Sequence, residues 1–338
     1  MATPARAAIS VTSMGAKCDG VSDDSAAIQK AFDVAVNPGQ PVIFPPGICY
    51  ASRTIVYRGQ SFYGEGQGSS IIRGAPGKDV FQTLEPTTPN AGMPNGTYIH
   101  DIGIQVDSSV DASANFPSRN WSVGQGITAS VGNCGFAFPD TDGSPRNWSN
   151  PSIAGLRHAT IARVTIMNVG GAGESNHTCA FFMQMEPYST TFEDLTVTQL
   201  YYGYVEHLPT INSAARAFAP DDNIFRNVSL TTHIGFIAYD GEYDLVEGLQ
   251  IYASNVGDLC FFLLSAPSLN RNQPYGWSIA QTFMEPNSST SAVVDWITGQ
   301  YHVFTSAALS SGGGNVVLWQ ATNSKALEIY TAGTGLSH

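Results

Sequence analysis

Charge is scarce in this sequence. Charged side chains make up 12% of its 338 residues, against about 25% in an ordinary globular domain. Only four are lysines, and acids outnumber bases 27 to 15, for a net charge of −12. With no basic stripe to neutralise phosphates, neither nucleic acid nor an anionic membrane surface is expected as a partner. No apolar run approaches the ~18 residues of a membrane-spanning helix, so no membrane insertion is expected. The N-terminal stretch MATPARAAIS lacks the apolar core of a signal peptide. That leaves export by another route, release with a virion, or a leader already removed. Cysteine is also sparse, at positions 18, 49, 134, 179 and 260. The odd count argues against a complete disulfide framework, and free thiols at Cys18 and Cys49 are the expectation, although both fall in one N-terminal region. No CxxC or Cys/His pair has zinc spacing, so no metal is expected. P-loop, Rossmann and nucleophile-elbow patterns are missing, and no cofactor is implied.

In place of charge the chain carries Gly, Ser, Thr and Asn, which suits a β-rich extracellular or virion protein. The six N-x-S/T sequons, at Asn95, Asn120, Asn147, Asn176, Asn227 and Asn287, read as products of that composition. Its most informative stretch runs from Ile9 to Gly74. Ser22, Asp23 and Asp24 offer N-cap oxygens to a helix whose Ile28, Ala31, Phe32 and Ala35 share one apolar face. Asn37-Pro38-Gly39 stops it, and Val42-Ile43-Phe44 is a short strand ended by Pro45-Pro46-Gly47. Gly64-Glu65-Gly66-Gln67-Gly68 leads into Ser-Ser-Ile-Ile and not into a helix, so it is a turn, not a phosphate loop.

Gly15-Ala16-Lys17, Asp19-Gly20, Asp23-Asp24, Ala26-Ala27-Ile28 and Phe44-Pro45-Pro46-Gly47-Ile48-Cys49-Tyr50, in that order, resemble the opening of the pectate-lyase-like right-handed parallel β-helix proteins. Phage tailspike depolymerases and several glycoside hydrolase families belong there. The resemblance covers about the first fifth of the chain. The sequence departs from it at Cys18, commonly Gly, and Cys49, commonly Thr. It implies an all-β, single-stranded right-handed parallel β-helix with an N-terminal α-helical cap. It also implies a homotrimer that degrades a surface polysaccharide outside the cell, either secreted or virion-associated.

The rest of the chain fits a solenoid independently. Strand-like runs begin at Ile102, Val164, Leu195, Val228 and Leu249, the last four spaced by 31, 33 and 21 residues. Second short strands follow at Gly203–Glu206, Gly235–Ala238 and Asp258–Phe262. The expected organisation is one continuous domain, with a cap and first coils at 1–74 and coils at 75–338. A Ser/Asn/Gly/Pro-rich loop excursion interrupts them at 107–157.

Stacked coils suit an extended polysaccharide, with aromatic faces for sugar rings and Asn, Asp and Gln for hydroxyls. Most Phe are expected in the core, and Tyr and Trp at its edges. Trp121, Trp148, Tyr204, Tyr239, Tyr243 and His207 are the candidates for substrate binding. Glycoside hydrolysis needs two carboxyl groups across the bond. Glu186 and Glu206 end comparable short strands 20 residues apart; Asp240, Glu242 and Asp244 follow the next one. Aligning Gly203 with Gly235 sets Glu206 beside Ala238 and near Asp240, so Glu206, Asp240, Glu186 and Glu242 are the catalytic candidates. Asp221-Asp222 reads as a turn, because the companion motifs of the polygalacturonase-type hydrolases are absent. His158, His177, His233 and His302 have no partner implied by spacing. A polysaccharide lyase on the same fold and a non-catalytic glycan-binding β-helix are the rival readings; the dearth of Lys weighs against a polyuronate cleft.

Overall fold

A computed structural model describes residues 7–35, 40–57, 59–83, 96–110, 133–138, 156, 158–170, 178–183, 187–206, 222–239, 243–253, 259–264, 276–281 and 283–286, with short strands beyond. The first strands are β1 (Ile9–Ser10), β2 (Asp19–Asp23), β3 (Val42–Ile43), β4 (Gly47–Ala51), β5 (Ile55–Tyr57), β6 (Phe62–Tyr63), β7 (Ser70–Gly74) and β8 (Phe81–Thr83). Longer ones follow: β9 (Tyr98–Val106), β10 (Cys134–Phe138), β11 (Thr160–Asn168), β12 (Cys179–Met183), β13 (Thr191–Glu206) and β14 (Ile224–Tyr239). The chain continues through β15 (Leu245–Glu247), β16 (Gln250–Ala253), β17 (Leu259–Leu264), β18 (Ser278–Ala280), β19 (Phe283–Pro286), β20 (Val294–Ile297) and β21 (His302–Thr305). It ends with β22 (Ala308–Leu309), β23 (Val316–Trp319) and β24 (Leu327–Tyr330).

The strands pair in parallel and curl into one continuous sheet. Three rows recur, coil upon coil. One runs through β6, the start of β9, β11, β13, β14, β15 and β18. A second runs through β4, β7, the end of β9 and on to β16 and β19. The third is β5, β8, β10, β12, the end of β13, the end of β14, and β17. The spacings read from sequence are the registers themselves: Val164 lies opposite Leu195, and Leu195 opposite Val228. β10 lies inside the segment expected to be a loop excursion. Its five residues are all buried, so it lacks the alternation that marks a half-exposed strand in sequence.

Inward residues form an unbroken aromatic column. Phe62 stacks on Phe81 (4.8 Å), Phe81 on Phe136 (5.3 Å), and Phe136 on Phe181 (5.4 Å). Phe181 meets Phe192 edge-on (5.4 Å), Phe192 stacks on Phe225 (4.8 Å), and Phe236 reaches Trp277 (6.2 Å). Helix α1 (Ser25–Val34) feeds Phe32 into the same column, 5.4 Å from Phe62, and buries Ile28, Ala31 and Ala35 beside it, the face the periodicity predicts.

The acids around α1 are structural. Both oxygens of Asp24 accept main-chain N–H groups, from Lys17 (2.7 Å) and Cys18 (2.9 Å). Asp23 accepts from the N–H and hydroxyl of Ser25 and of Ser52, tying the helix start to the turn after β4; the Ser25 hydroxyl, then that of Ser52, holds its carboxyl well below the usual range. Asp19 is lowered to about 2 by the Ser22 and Val21 N–H groups.

The expectation of free thiols is corrected by two disulfides, Cys18–Cys49 and Cys134–Cys179. Cys134 and Cys179 are register partners on adjacent coils, which their distance in sequence conceals, and the odd count comes from Cys260 on β17. Cys18 has φ of 50°, the left-handed region that favours Gly. It occupies that conformation while making the bridge. Gly47 (φ 124°) completes the corner, because a Cβ there would sit 2.4 Å from the Cys18 carbonyl oxygen.

Candidate functional site

β12, β13 and β14 end side by side: Met183 lies opposite Glu206, and Val205 opposite Ile237. Glu206 closes β13, in a row whose Phe138 and Met183 are buried. The residue opposite Glu206 is Met183, three positions before Glu186 in sequence. Glu186, Asp240, Glu242, His207, Trp121 and Trp148 fall outside the described residues. The strands that precede four of them in sequence, Glu186, His207, Asp240 and Glu242, are described: β12 ends at Met183, β13 at Glu206 and β14 at Tyr239. Tyr239, the last residue of β14, pairs with Leu264, and Tyr243 is exposed. Asp244 is buried and accepts the Asn223 N–H (2.7 Å), a structural task. Asp222 is an exposed left-handed turn residue.

The structure corrects the placement of Tyr204. Only 4% exposed, it stacks on Phe236 (4.8 Å) and meets Phe192 (5.6 Å) and Phe225 (5.0 Å) edge-on. Period-two alternation from Tyr202 and Phe236's row puts its ring in the column, and a tyrosine's polar tip did not outweigh that burial.

Sequence reasoning missed a cluster at another corner of the coil, between the first and second rows. The first row of strands is bounded by two corners, each turned by a single residue of positive φ. Gly96, His158, Ser189, Asp222, Tyr243 and Gly276 lead the strands; Asp101, Arg163, Asp194, Asn227, Gly248 and Gln281 trail them. Most are not glycine, so each left-handed conformation costs about 1 kcal/mol that neighbouring contacts must offset. At the trailing corner the side chains of successive coils meet. Arg163 Nε and Nη2 donate to the two oxygens of Asp101 (2.7 and 2.9 Å), and Nη2 also donates to the Tyr98 hydroxyl (3.1 Å). His100 Nδ1 donates to Asp101 Oδ2 (2.6 Å); a carboxylate only accepts, so the proton sits on Nδ1. The imidazole lies against Tyr63 (4.8 Å) and Tyr98 (4.1 Å).

The Arg163 hydrogen bonds hold Asp101 at about 2, and Asp101 in turn raises Arg163 above its ordinary value. Two coils on, Arg226 bridges Glu193 of the coil before it (3.8 Å) and Glu247 of the coil after it (3.2 Å), and Asn227 Nδ2 donates to Asp194 (3.2 Å). Among the described residues Asp101, Glu193, Asp194 and Glu247 thus face two guanidiniums, those of Arg163 and Arg226. The signal in sequence was the polar lead: Asp101, Arg163, Asp194 and Asn227 each immediately precede the residue that opens an alternating run (Ile102, Val164, Leu195 and Val228), and their meeting becomes visible once the coils are in register.

Cys18, Asp24 and Cys49 form the one close group of metal-ligating residue types among the described residues. The bridge occupies both sulfurs and main-chain N–H groups occupy both Asp24 oxygens, so the group is structural.

The winding of parallel strands over a single interior column defines a parallel β-helix of the pectate-lyase-like superfamily. More particularly, the chain belongs to the rhamnogalacturonase A/epimerase, pectate lyase-like family, whose sequence profile matches residues 8–208, more than half of the chain. No protein of curated function matches the sequence. Among solved structures it is similar to PfbA, a surface adhesin of Streptococcus pneumoniae, at 13% identity over 95% of this chain and 81% of that one, with a TM-score of 0.51. It also aligns with the A-module of the mannuronan C-5 epimerase AlgE6 of Azotobacter vinelandii, at 15% identity over 97% of this chain and all of that one (TM-score 0.42). A third is tailspike protein 2 of the Escherichia coli O157:H7 bacteriophage CAB120, at 12% identity over 94% of this chain and 41% of that one (TM-score 0.46). At such identities the likeness is one of fold.

Proposed function

We propose that the chain is a polysaccharide-degrading enzyme, a glycoside hydrolase of tailspike-depolymerase type. Glu206 and Asp240 are its leading carboxylate pair, with Glu186 and Glu242 as the alternatives. The observation that carries this reading is the register: β12, β13 and β14 end on neighbouring coils, and Glu186, Glu206, Asp240 and Glu242 lie at those ends or within three residues of them in sequence. Parallel strands lie about 4.8 Å apart, a scale on which two carboxyl groups from adjacent coils can flank a glycosidic bond. The family description, which names a rhamnogalacturonase and an epimerase, and the low content of charged side chains are in keeping with a glycan substrate. Trp121, Trp148, Tyr239, Tyr243 and His207 are proposed to line its path.

The finer architecture belongs to the same proposal. The helix is right-handed; α1 closes its N-terminal end as a cap within 1–74; the coils of 75–338 continue it as one domain; and the chains trimerise. Two disulfides suit an oxidising compartment, as expected of a secreted or virion-associated protein.

A glycan panel read by mass spectrometry tests the reaction. Hydrolysis gives products heavier by one water, and Glu206→Gln or Asp240→Asn lowers the rate about a hundred-fold or more. Products without that water identify a lyase. Binding without any product identifies a glycan-binding protein and ends the enzymatic reading.

A further inference from the structure

We infer that the trailing corner at Tyr98, His100, Asp101 and Arg163 is a separate carbohydrate-binding subsite for an uncharged sugar, remote in register from the acid-bearing strand ends. It rests on the reading that this chain handles polysaccharide. Tyr98 is 37% exposed and its ring lies against the His100 imidazole, which in turn lies on Tyr63. Such a three-ring stack fixes an exposed aromatic plane at little conformational cost, and that plane is what the apolar face of a sugar ring packs against.

The guanidinium at the edge of the ring is already oriented. Asp101 clamps Arg163 through two nitrogens, and Tyr98 holds one of those through its hydroxyl. Among the described residues Arg163 Nη1 has no partner, and its side chain is 42% exposed. One coil on, Asp194 accepts a single hydrogen bond, through Oδ1. A fixed donor and a fixed acceptor on successive coils match adjacent sugar hydroxyls, which donate and accept in equal measure. The carboxylates described at the corner argue the charge of the ligand: a uronate would meet Asp194 and Glu193 as like charges, whereas a neutral sugar meets hydrogen-bond partners. His100 acts as a positioning residue, since its Nδ1 proton is committed to Asp101 and its ring supports Tyr98.

Affinity electrophoresis of the full chain tests this, in gels cast with dextran, yeast mannan or mixed-linkage β-glucan, and with polygalacturonate for comparison. At least one neutral polymer is expected to retard the wild type. Tyr98→Ala weakens that retention about ten-fold, the equivalent of one aromatic contact, and Tyr98→Trp preserves it. Asp194→Ala, at an exposed position, weakens it about three-fold, as for one lost hydrogen bond. Circular dichroism of each variant establishes that it is folded, and Asp194→Ala decides the matter if Tyr98→Ala is not. Retention of Tyr98→Ala or Asp194→Ala equal to the wild type overturns the subsite while leaving the enzymatic reading intact. Stronger retention by polygalacturonate than by every neutral polymer overturns the neutral-sugar assignment. No retention and no cleavage of any glycan overturns both readings together.

Discussion

Replacing Tyr204 separates a core ring from a substrate contact. Its side chain is 4% exposed and touches three rings, with Phe236 face-on at 4.8 Å. Truncation to alanine leaves a cavity inside the column, and large-to-small changes at such sites cost about 3–5 kcal/mol. Unfolding entropies near 2.1 cal/mol/K per residue give roughly 0.7 kcal/mol/K for a chain of this length, so a loss of about 4 kcal/mol lowers Tm by about 6 °C. Tyr204→Phe keeps every ring contact and removes only the hydroxyl, at a cost of about 1 kcal/mol or less. Differential scanning calorimetry of the two variants beside the wild type reads both shifts. Glycan retention of Tyr204→Phe is expected to match the wild type. A Tyr204→Ala variant that melts within about 1 °C of the wild type, or a Tyr204→Phe variant that melts normally but loses its glycan, would refute the assignment of this ring to the core.

Two further outcomes follow from the bridges and the corner. Each disulfide closes a long loop, 31 residues for Cys18–Cys49 and 45 for Cys134–Cys179, and the chain-entropy account assigns each about 4 kcal/mol; the Cys134→Ser, Cys179→Ser double variant should lose close to that in urea titration, and an unchanged midpoint contradicts it. Asp101 is held at about 2 by Arg163 and His100, below its unfolded value near 3.9. Its contribution is therefore complete above about pH 4 and lost as pH falls through about 2, amounting to about 1 kcal/mol after allowance for solvent screening of a side chain one-third exposed. The stability gap between wild type and Asp101→Asn should shrink between pH 5 and 2; a constant gap means the carboxylate's charge contributes nothing.

The solenoid was legible because its signals are local and repeated. Val164, Leu195, Val228 and Leu249 each open an alternating run, and their spacings survive as register. The apolar face of α1 was legible for the same reason. β10 was not, because Cys134–Phe138 is buried on both faces and sits amid Gly, Asn and Ser. The bridges were not, because pairing across coils is a property of register, and an odd cysteine elsewhere obscured the even four. The corner cluster was hidden more deeply. Asp101 and Arg163 are 62 residues apart, and neither belongs to a motif; they meet only because a coil returns to the same corner. Of the acids chosen from sequence, Glu206 is fixed in its strand and Asp244 is a structural acceptor.

The two corners also act as a ruler. In six successive coils the leading left-handed residue and the trailing one are five positions apart, from 96 and 101 to 276 and 281. The chain between one trailing corner and the next leading corner is free to vary, from 16 residues (227 to 243) to 57 (101 to 158). The molecule therefore has a spine of constant gauge and a margin that tolerates insertion. New loops can be added to that margin without shifting a single strand out of step, as a book gains pages without changing its binding. The spine offers a ligand the same backbone geometry in each of those six coils; the margin is where chemistry can diverge between relatives that share little else.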